Sequence, residues 1–176
     1  KLDFSWLDGT IEILIRKGIK VMLETPTAAP PKWMMDKHPD IYNVDEHGNI
    51  RGFGSRRHYC YNSKIFQQFT RKIVTEMAKH YRNNSHIVAW QVDNEFGGLC
   101  YCDNCLKAFK RWLKKRYGTV KRMNEEWGTV FWSQTYGDWD EVILPRYTVC
   151  DSATPYAHNP GLLLDYRRFC SDSCVA

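Results

Sequence analysis

The 176-residue sequence contains no run of eighteen apolar residues, so it is not expected to cross or bind a membrane. It also lacks internal repeats, low-complexity tracts and flexible linkers. Disorder is excluded as well, because 43% of the residues are apolar, 14% are aromatic and seven are tryptophan. We therefore treat residues 1–176 as belonging to one domain, with enough chain for a sizeable core.

A strong charge of one sign is also missing, since the net charge is only +5. The excess is local, because eight basic residues lie between positions 107 and 122. One interpretation is a zinc-ribbon-like nucleic-acid-binding module, whose phosphate contacts would be Lys107, Lys110, Arg111, Lys114, Lys115 and Arg116. These residues share their predicted helix with an apolar stripe, as on an ordinary solvated helix, so no nucleic-acid partner is expected.

The cysteine count is odd, at seven, so the cysteines cannot all pair within the chain. Three are crowded between positions 100 and 105, and the others are scattered at Cys60, Cys150, Cys170 and Cys174. Small disulfide-linked domains space their cysteines more widely through shorter chains. The crowding indicates a metal site in a reduced protein, and a cytoplasmic location is expected.

Apolar periodicity predicts helices over 5–17, 63–81, 104–117 and 119–127, and a last helix from about 160. It predicts strands over 19–23 and 87–92. Ser5 is expected to cap the first helix and Gly18 to end it, and Asn62 or Ser63 is expected to cap the second. No regular element is expected between 25 and 61, where prolines and glycines interrupt every pattern. Helix-then-strand twice over is typical of a (β/α) barrel or an open α/β sheet.

With only two core strands against the eight of a full barrel, the chain is either a small sheet or a piece of a larger barrel. Its beginning, in the middle of a helix-and-strand pattern, favours a piece.

Three polar residues, Asp93, Asn94 and Glu95, follow the second strand. The strand at 87–92 is almost continuously apolar, which suits a strand covered on both faces. α/β enzymes keep their reactive groups at the carboxyl ends of such strands. Glu95, flanked by aromatic residues, could be partly desolvated and act as a general acid. Asn94 could donate to a substrate hydroxyl. The alternative is that Glu95 only pairs with an arginine.

The spacing of Cys100, Cys102 and Cys105 allows three thiolates to converge on one zinc ion. Cys60 is the nearest upstream candidate for the fourth ligand, and His58 is an alternative. Four protein ligands leave no position for a reactive water, so such a zinc would be structural. The alternative is that these are free buried thiols.

Two adjacent arginines, Arg56 and Arg57, precede the candidate ligand. One guanidinium could lie in the site and bind hydroxyl or carboxylate groups, although such a pair is usually an ordinary surface loop. Trp33, Trp132 and Trp139 lie in non-periodic chain. Their rings could stack on sugar rings in a cleft, or they could cap the ends of the barrel.

Several separated segments closely resemble the β-galactosidases of glycoside hydrolase family 42, and the resemblance covers essentially the whole chain. The segments are 4–8, 25–33, 54–60, 90–97 and 126–136.

The resemblance implies a (β/α)₈ barrel that hydrolyses terminal non-reducing β-D-galactose residues with retention. The alternative within enzymes is another glycosidase or a transglycosidase on the same scaffold. Asn94 and Glu95 would end the fourth strand, with Glu95 as the acid/base, and Arg56 would contact the sugar. The family's zinc site would be formed by Cys60, Cys100, Cys102 and Cys105.

By the same resemblance, the chain would run from the helix before strand 3 to the segment after strand 4. The nucleophilic carboxylate would lie on a later strand, beyond position 176, so this chain alone would be inactive. The expected partner is a β-galactoside or galacto-oligosaccharide, and the full-length enzyme is expected to be a homo-oligomer.

Overall fold

The computed structural model describes residues 2–146 and 158–175, so Cys150 lies outside the described residues. The helices and strands are α1 Ser5–Arg16, β1 Val21–Glu24, α2 Lys32–Lys37, α3 Lys64–Tyr81, β2 Ile87–Gln91, α4 Asp103–Tyr117, α5 Val120–Trp127 and α6 Pro160–Val175. Short 3₁₀ turns occur at Pro39–Ile41, Phe131–Ser133 and Trp139–Glu141. Within the described ranges no helix has both the length and the apolar character to span a membrane.

The two strands pair in parallel, and α3 lies on the connection between them. Val21 pairs with Ile87 and Leu23 with Trp90, with one irregularity in register after Val21. This βαβ arrangement is the unit from which the predicted (β/α) barrel or open α/β sheet is built. Since the strands are parallel, their carboxyl ends share one edge, and two largely irregular segments, 25–63 and 92–102, leave from that edge.

Helix termini follow the predicted positions closely, with one exception. Ser63 caps α3 by accepting a hydrogen bond of 3.3 Å from the backbone N–H three residues on. Gly18 ends α1 with a φ of 70°, as predicted. The prediction that Ser5 caps α1 is wrong: Phe4 occupies the cap position without a side-chain cap bond. The Ser5 N–H donates instead to the Asp3 carboxylate, at 2.9 Å.

The absence of regular elements predicted for 25–61 is also wrong in part, because α2 lies within it. Pro31 stands at the N-cap position of α2, just ahead of the first turn, where the missing N–H costs no helical hydrogen bond. Two isolated antiparallel bridges, Tyr42 with Tyr59 and Val44 with Ile50, fold the rest of the segment back on itself.

The prediction that β2 is covered on both faces is wrong for the described chain. Val88 is 55% and Trp90 38% exposed, and Val92, directly after the strand, is 66% exposed. In the part of the chain that the structure describes, β2 has only β1 beside it in the sheet. Because β2 has a single neighbouring strand here, some of its apolar side chains face water. A complete barrel would cover these side chains.

Three clusters of buried side chains hold these elements together. One joins α1, β1 and the end of α3, through Ile11, Val21, Leu23, Met77 and Tyr81, and Ile87 of β2 packs against it. A second joins α2 to the start of α3, through Met34, Met35, Ile41, Tyr59 and Phe66. The third and largest packs α4, α5 and α6 against the cysteines, with Phe109, Leu113, Met123 and Tyr166 fully buried.

A buried carboxylate, Asp165 on α6, ties the last three helices together. Its oxygen accepts hydrogen bonds from Tyr117 on α4 and from the indole of Trp127 on α5, the latter at 3.0 Å. Arg168 at 3.0 Å and Arg116 at 3.6 Å supply opposite charge. A carboxylate that is 2% exposed requires such partners, because an unpaired buried charge is strongly destabilising.

The exposed apolar side chains on β2, and Val92 directly after it, predict that the 176-residue chain alone self-associates. Sedimentation velocity should show oligomers that grow with concentration. Lysines at both Val88 and Val92 should reduce this association, whereas Ile13→Lys, on the exposed face of α1, should leave it unchanged. A monomer with a sharp, cooperative melt would contradict the prediction.

Candidate functional site

The turn that follows β2 has an unusual backbone. Asp93 and Glu95 have φ values of 55° and 48°, in the left-handed region that non-glycine residues rarely adopt. Each such residue costs on the order of 1–3 kcal/mol, and the conformation persists only because surrounding contacts offset that cost. The contacts of this turn therefore decide where the Glu95 carboxylate lies.

Glu95 meets Arg56 across the edge of the sheet, with 3.2 Å between a guanidinium nitrogen and a carboxylate oxygen. Their side chains are 72% and 56% exposed, so the desolvation expected for Glu95 is not found in the described structure. The arginine pair considered as the alternative is present. An exposed pair contributes little to stability, which leaves both groups accessible to a ligand.

Asn94 lies between these acidic residues, half-buried. Its side-chain oxygen accepts a hydrogen bond of 3.2 Å from Gln91 at the end of β2. The same Gln91 amide donates to the backbone oxygen of Asp93, also at 3.2 Å. Since this contact uses the Asn94 oxygen, its NH₂ group is the end that can donate to a ligand.

Asp93 anchors the turn, a role that the sequence pattern does not predict. Its carboxylate is 6% exposed and accepts hydrogen bonds from Thr27 at 2.7 Å and Tyr59 at 3.3 Å. Arg57 supplies the opposite charge at 3.3 Å. The Asp93 backbone N–H donates to the Thr25 hydroxyl at 2.7 Å. The partners come from positions 25–27 and 57–59, so sequence spacing offered no signal for the set.

Arg57 is the buried member of the arginine pair, with 17% of its side chain exposed and a φ of 64°. It donates to the Tyr61 hydroxyl at 2.6 Å, and its backbone N–H donates to the Ala28 oxygen at 3.2 Å. Its guanidinium lies 5.9 Å from the centre of the Phe96 ring. Burial raises the pKa values of Tyr59 and Tyr61, so both phenols keep their protons.

The sulfur atoms of Cys60, Cys100, Cys102 and Cys105 lie within 4.8 Å of one another. Cys60 is 3.4 Å from Cys105 and 3.5 Å from Cys102. A tetrahedral zinc with bonds of about 2.3 Å needs sulfurs about 3.8 Å apart, so this group could hold a metal ion. The other candidate ligand, His58, is buried and not part of the group.

Asn62 faces the sulfurs with two donors. Its backbone N–H lies 3.3 Å from the Cys60 sulfur and its amide nitrogen 3.4 Å from Cys105. Hydrogen bonds with Cys100 and Cys105 hold the pKa of Cys102 well below its usual range. Hydrogen bonds with Cys100 and Cys102 raise the pKa of Cys105. A thiolate with donors around it is the form that binds metals.

The tryptophans singled out in the sequence have different surroundings. Trp132 is 76% exposed, has a φ of 54° and stacks on Phe131 with ring centres 4.8 Å apart. Trp33 is 57% exposed and lies edge-on to Phe69. Trp139 is half-buried and packs against the largest core.

Several basic residues of α4 contact the protein itself. Lys110 donates to the Asp140 backbone oxygen at 2.7 Å, and the Lys114 ammonium lies 6.0 Å from the centre of the Trp139 ring. Arg116 pairs with Asp165. These contacts do not favour the nucleic-acid alternative, which needs the cations directed at phosphates.

A family model described as β-galactosidase, for glycoside hydrolase family 42, matches residues 1–176. The chain belongs to this family. The predicted resemblance is therefore confirmed.

Among relatives, the β-galactosidase Bga of Halorubrum lacusprofundi is 47% identical over 177 residues, covering 98% of this chain and 24% of the relative. A β-galactosidase of Thermus thermophilus is 47% identical over 180 residues, covering 100% and 27%. The chain thus spans about a quarter of the length of these relatives.

The crystal structure of a β-galactosidase from Bacillus circulans sp. alkalophilus is similar, with 43% identity and a TM-score of 0.93. The match covers 99% of this chain and 26% of that structure. The predicted fold class, an α/β chain that forms part of a (β/α)₈ barrel, is confirmed.

Proposed function

We propose that residues 1–176 are a segment of the catalytic barrel of a retaining β-galactosidase, which removes terminal non-reducing β-D-galactose residues from β-D-galactosides. One observation carries the proposal. The exposed Glu95 carboxylate and the exposed Arg56 guanidinium meet at the carboxyl edge of two parallel strands, where barrel enzymes place their reactive groups. Family membership and β-galactosidase relatives supply the reaction.

In this mechanism Glu95 first protonates the departing glycosidic oxygen. It then removes a proton from the water that releases the sugar from the nucleophile. Arg56 and the Asn94 NH₂ group would bind sugar hydroxyls. Retention requires a second carboxylate about 5–5.5 Å from the first. In the described ranges the charged partner of Glu95 is Arg56, and we assign the nucleophile to a part of the barrel outside these 176 residues.

The substrate would be a β-galactoside or galacto-oligosaccharide, and an exposed aromatic face such as that of Trp132 suits the C–H face of a sugar ring. We further propose that the full-length enzyme is a cytoplasmic homo-oligomer.

The four clustered cysteines would bind one structural zinc. Their sulfur separations fit tetrahedral coordination, and two donors of Asn62 already face the sulfurs. With four thiolates the ion has no position for water, so it would hold the two irregular segments together and take no part in proton transfer.

Metal analysis tests the zinc proposal. Carefully reduced protein should contain one zinc per chain, and cobalt in its place should give the intense sulfur-to-metal absorption of four thiolates. Cys105→Ser should lose the metal, because it removes a ligand. Cys170→Ser, a half-buried cysteine outside the group, should retain it. Less than about a tenth of an equivalent of zinc in the unmutated protein would rule the site out.

The acid/base assignment is tested by Glu95→Gln in the full-length enzyme, since the amide keeps the shape and cannot supply the proton. Activity on alkyl β-galactosides should fall by about 10²–10⁴-fold. Activity on activated aryl β-galactosides should fall much less in the first step, because their leaving groups need little protonation. Azide should partly restore the second step, since it attacks without a base.

The control for this substitution is Glu12→Gln. Glu12 also forms an exposed arginine pair of 3.2 Å, with Arg16 on α1, and its loss should leave both activities unchanged. Equal losses on alkyl and aryl substrates in Glu95→Gln would contradict the assignment. Turnover by the isolated 176-residue chain, abolished by Glu95→Gln, would show that the nucleophile lies within it.

A further inference from the structure

The two arginines at positions 56 and 57 form neighbouring ion pairs with two residues of the turn after β2. Arg57 pairs with Asp93 in the interior, and Arg56 pairs with Glu95 at the surface. The two distances are similar, at 3.3 Å and 3.2 Å, yet the surroundings differ completely. The inner side chains are 17% and 6% exposed, whereas the outer ones are 56% and 72% exposed.

The inner pair has contacts that fix it in one position. Asp93 accepts from Thr27 at 2.7 Å and Tyr59 at 3.3 Å. Arg57 donates to both Tyr59, at 3.3 Å, and Tyr61, at 2.6 Å. The Tyr59 hydroxyl therefore accepts from the arginine and donates to the carboxylate. A closed set of this kind holds its members rigidly, because any displacement leaves buried polar groups without partners.

Among residues 2–146 and 158–175 no such set surrounds the outer pair, so its position depends on the backbone at Arg56 and Glu95. Arg57, Asp93 and Glu95 all adopt positive φ values, between 48° and 64°. Such conformations persist only where the surroundings impose them. The inner ion pair joins two of these three residues directly, and each lies within two positions of an outer partner.

We infer that Asp93 and Arg57 are positioning residues that aim Glu95 and Arg56 at the substrate. They do not touch the reacting atoms themselves. This inference rests on the proposed function of Glu95 as acid/base and adds the residues that hold Glu95 in position. Asp93→Asn keeps the size of the side chain, removes its charge and leaves Arg57 buried without its counter-ion, so the turn should relax and move Glu95.

The readout is the ratio of kcat/KM for an alkyl β-galactoside to kcat/KM for an activated aryl β-galactoside, in the full-length enzyme. Misplacement of the acid slows the alkyl substrate selectively, and a displacement of about 1 Å can cost about 10²-fold in rate. The ratio should fall at least about tenfold in Asp93→Asn. A purely structural defect lowers the amount of active enzyme, which reduces both values equally and leaves the ratio unchanged.

Asp165→Asn is the matched control. Asp165 is another buried carboxylate that pairs with arginines and accepts from an aromatic hydroxyl, far along the chain on α6. Its substitution should lower thermal stability without changing the substrate ratio. Tyr59→Phe is the second test variant, should Asp93→Asn fail to fold. It removes one hydrogen bond to Asp93, keeps the ring stacked on Phe66 at 4.1 Å, and should lower the ratio by a smaller factor.

The outcomes distinguish a failure of the positioning role from a failure of the acid/base assignment. Suppose that Glu95→Gln lowers the ratio, whereas Tyr59→Phe and any folded Asp93→Asn leave it within about twofold of the unmutated enzyme. The positioning role is then wrong, and the acid/base assignment stands. If Glu95→Gln leaves the ratio unchanged, the acid/base assignment fails and the positioning role fails with it. A lowered ratio in Asp165→Asn of the same size as in Asp93→Asn would also overturn the positioning role.

Discussion

Four cysteine sulfurs within 4.8 Å of one another join two long irregular segments to α4, and the arrangement of the candidate site depends on that junction. Irregular chain must be held by specific contacts, because ordering each backbone residue costs about 1–2 kcal/mol. Direct hydrogen bonds between the segments supplement the sulfurs, including Tyr101 N–H to the Val44 oxygen at 2.8 Å and the Asn43 amide to the Leu99 oxygen at 3.2 Å. The cluster also forms part of the largest core, so packing of α4, α5 and α6 stabilises the same junction.

The adjacent arginines have two different roles, rigid support of the turn and binding of a ligand, which one side chain cannot easily combine. A guanidinium that must stay rigid has to be buried and held by several partners, as Arg57 is by Asp93 and by the hydroxyls of Tyr59 and Tyr61. One that must bind a ligand has to be exposed and weakly held, as Arg56 is. Two consecutive positions can meet both requirements, because the Arg57 side chain lies in the interior and the neighbouring Arg56 side chain lies at the surface.

Periodicity and capping residues were sufficient to predict five of the helices and both strands, because amphipathic stripes and residues such as Ser63 and Gly18 act locally. The grouping of Cys60 with three distant cysteines came from the family resemblance, with spacing alone leaving His58 open. The role of Asp93 could not be predicted, because its hydrogen-bond partner Thr27 lies 66 positions away. The burial of β2 was predicted wrongly. The apolar composition of a strand indicates that it can be buried, but it does not indicate which neighbouring strands and helices are present to cover it.

The short distances along the chain between site and sulfurs limit how this sequence can diverge. Arg56 precedes Cys60 by four positions, and Glu95 precedes Cys100 by five. One inserted residue adds up to about 3.3–3.6 Å of chain, enough to separate partners that meet at 3.2 Å. Length changes during evolution should therefore be tolerated in turns that close on themselves, such as 45–49, where Asp45 and Asn49 bond to each other. Two windows, 56–60 and 95–100, should keep a constant length even where their residues change.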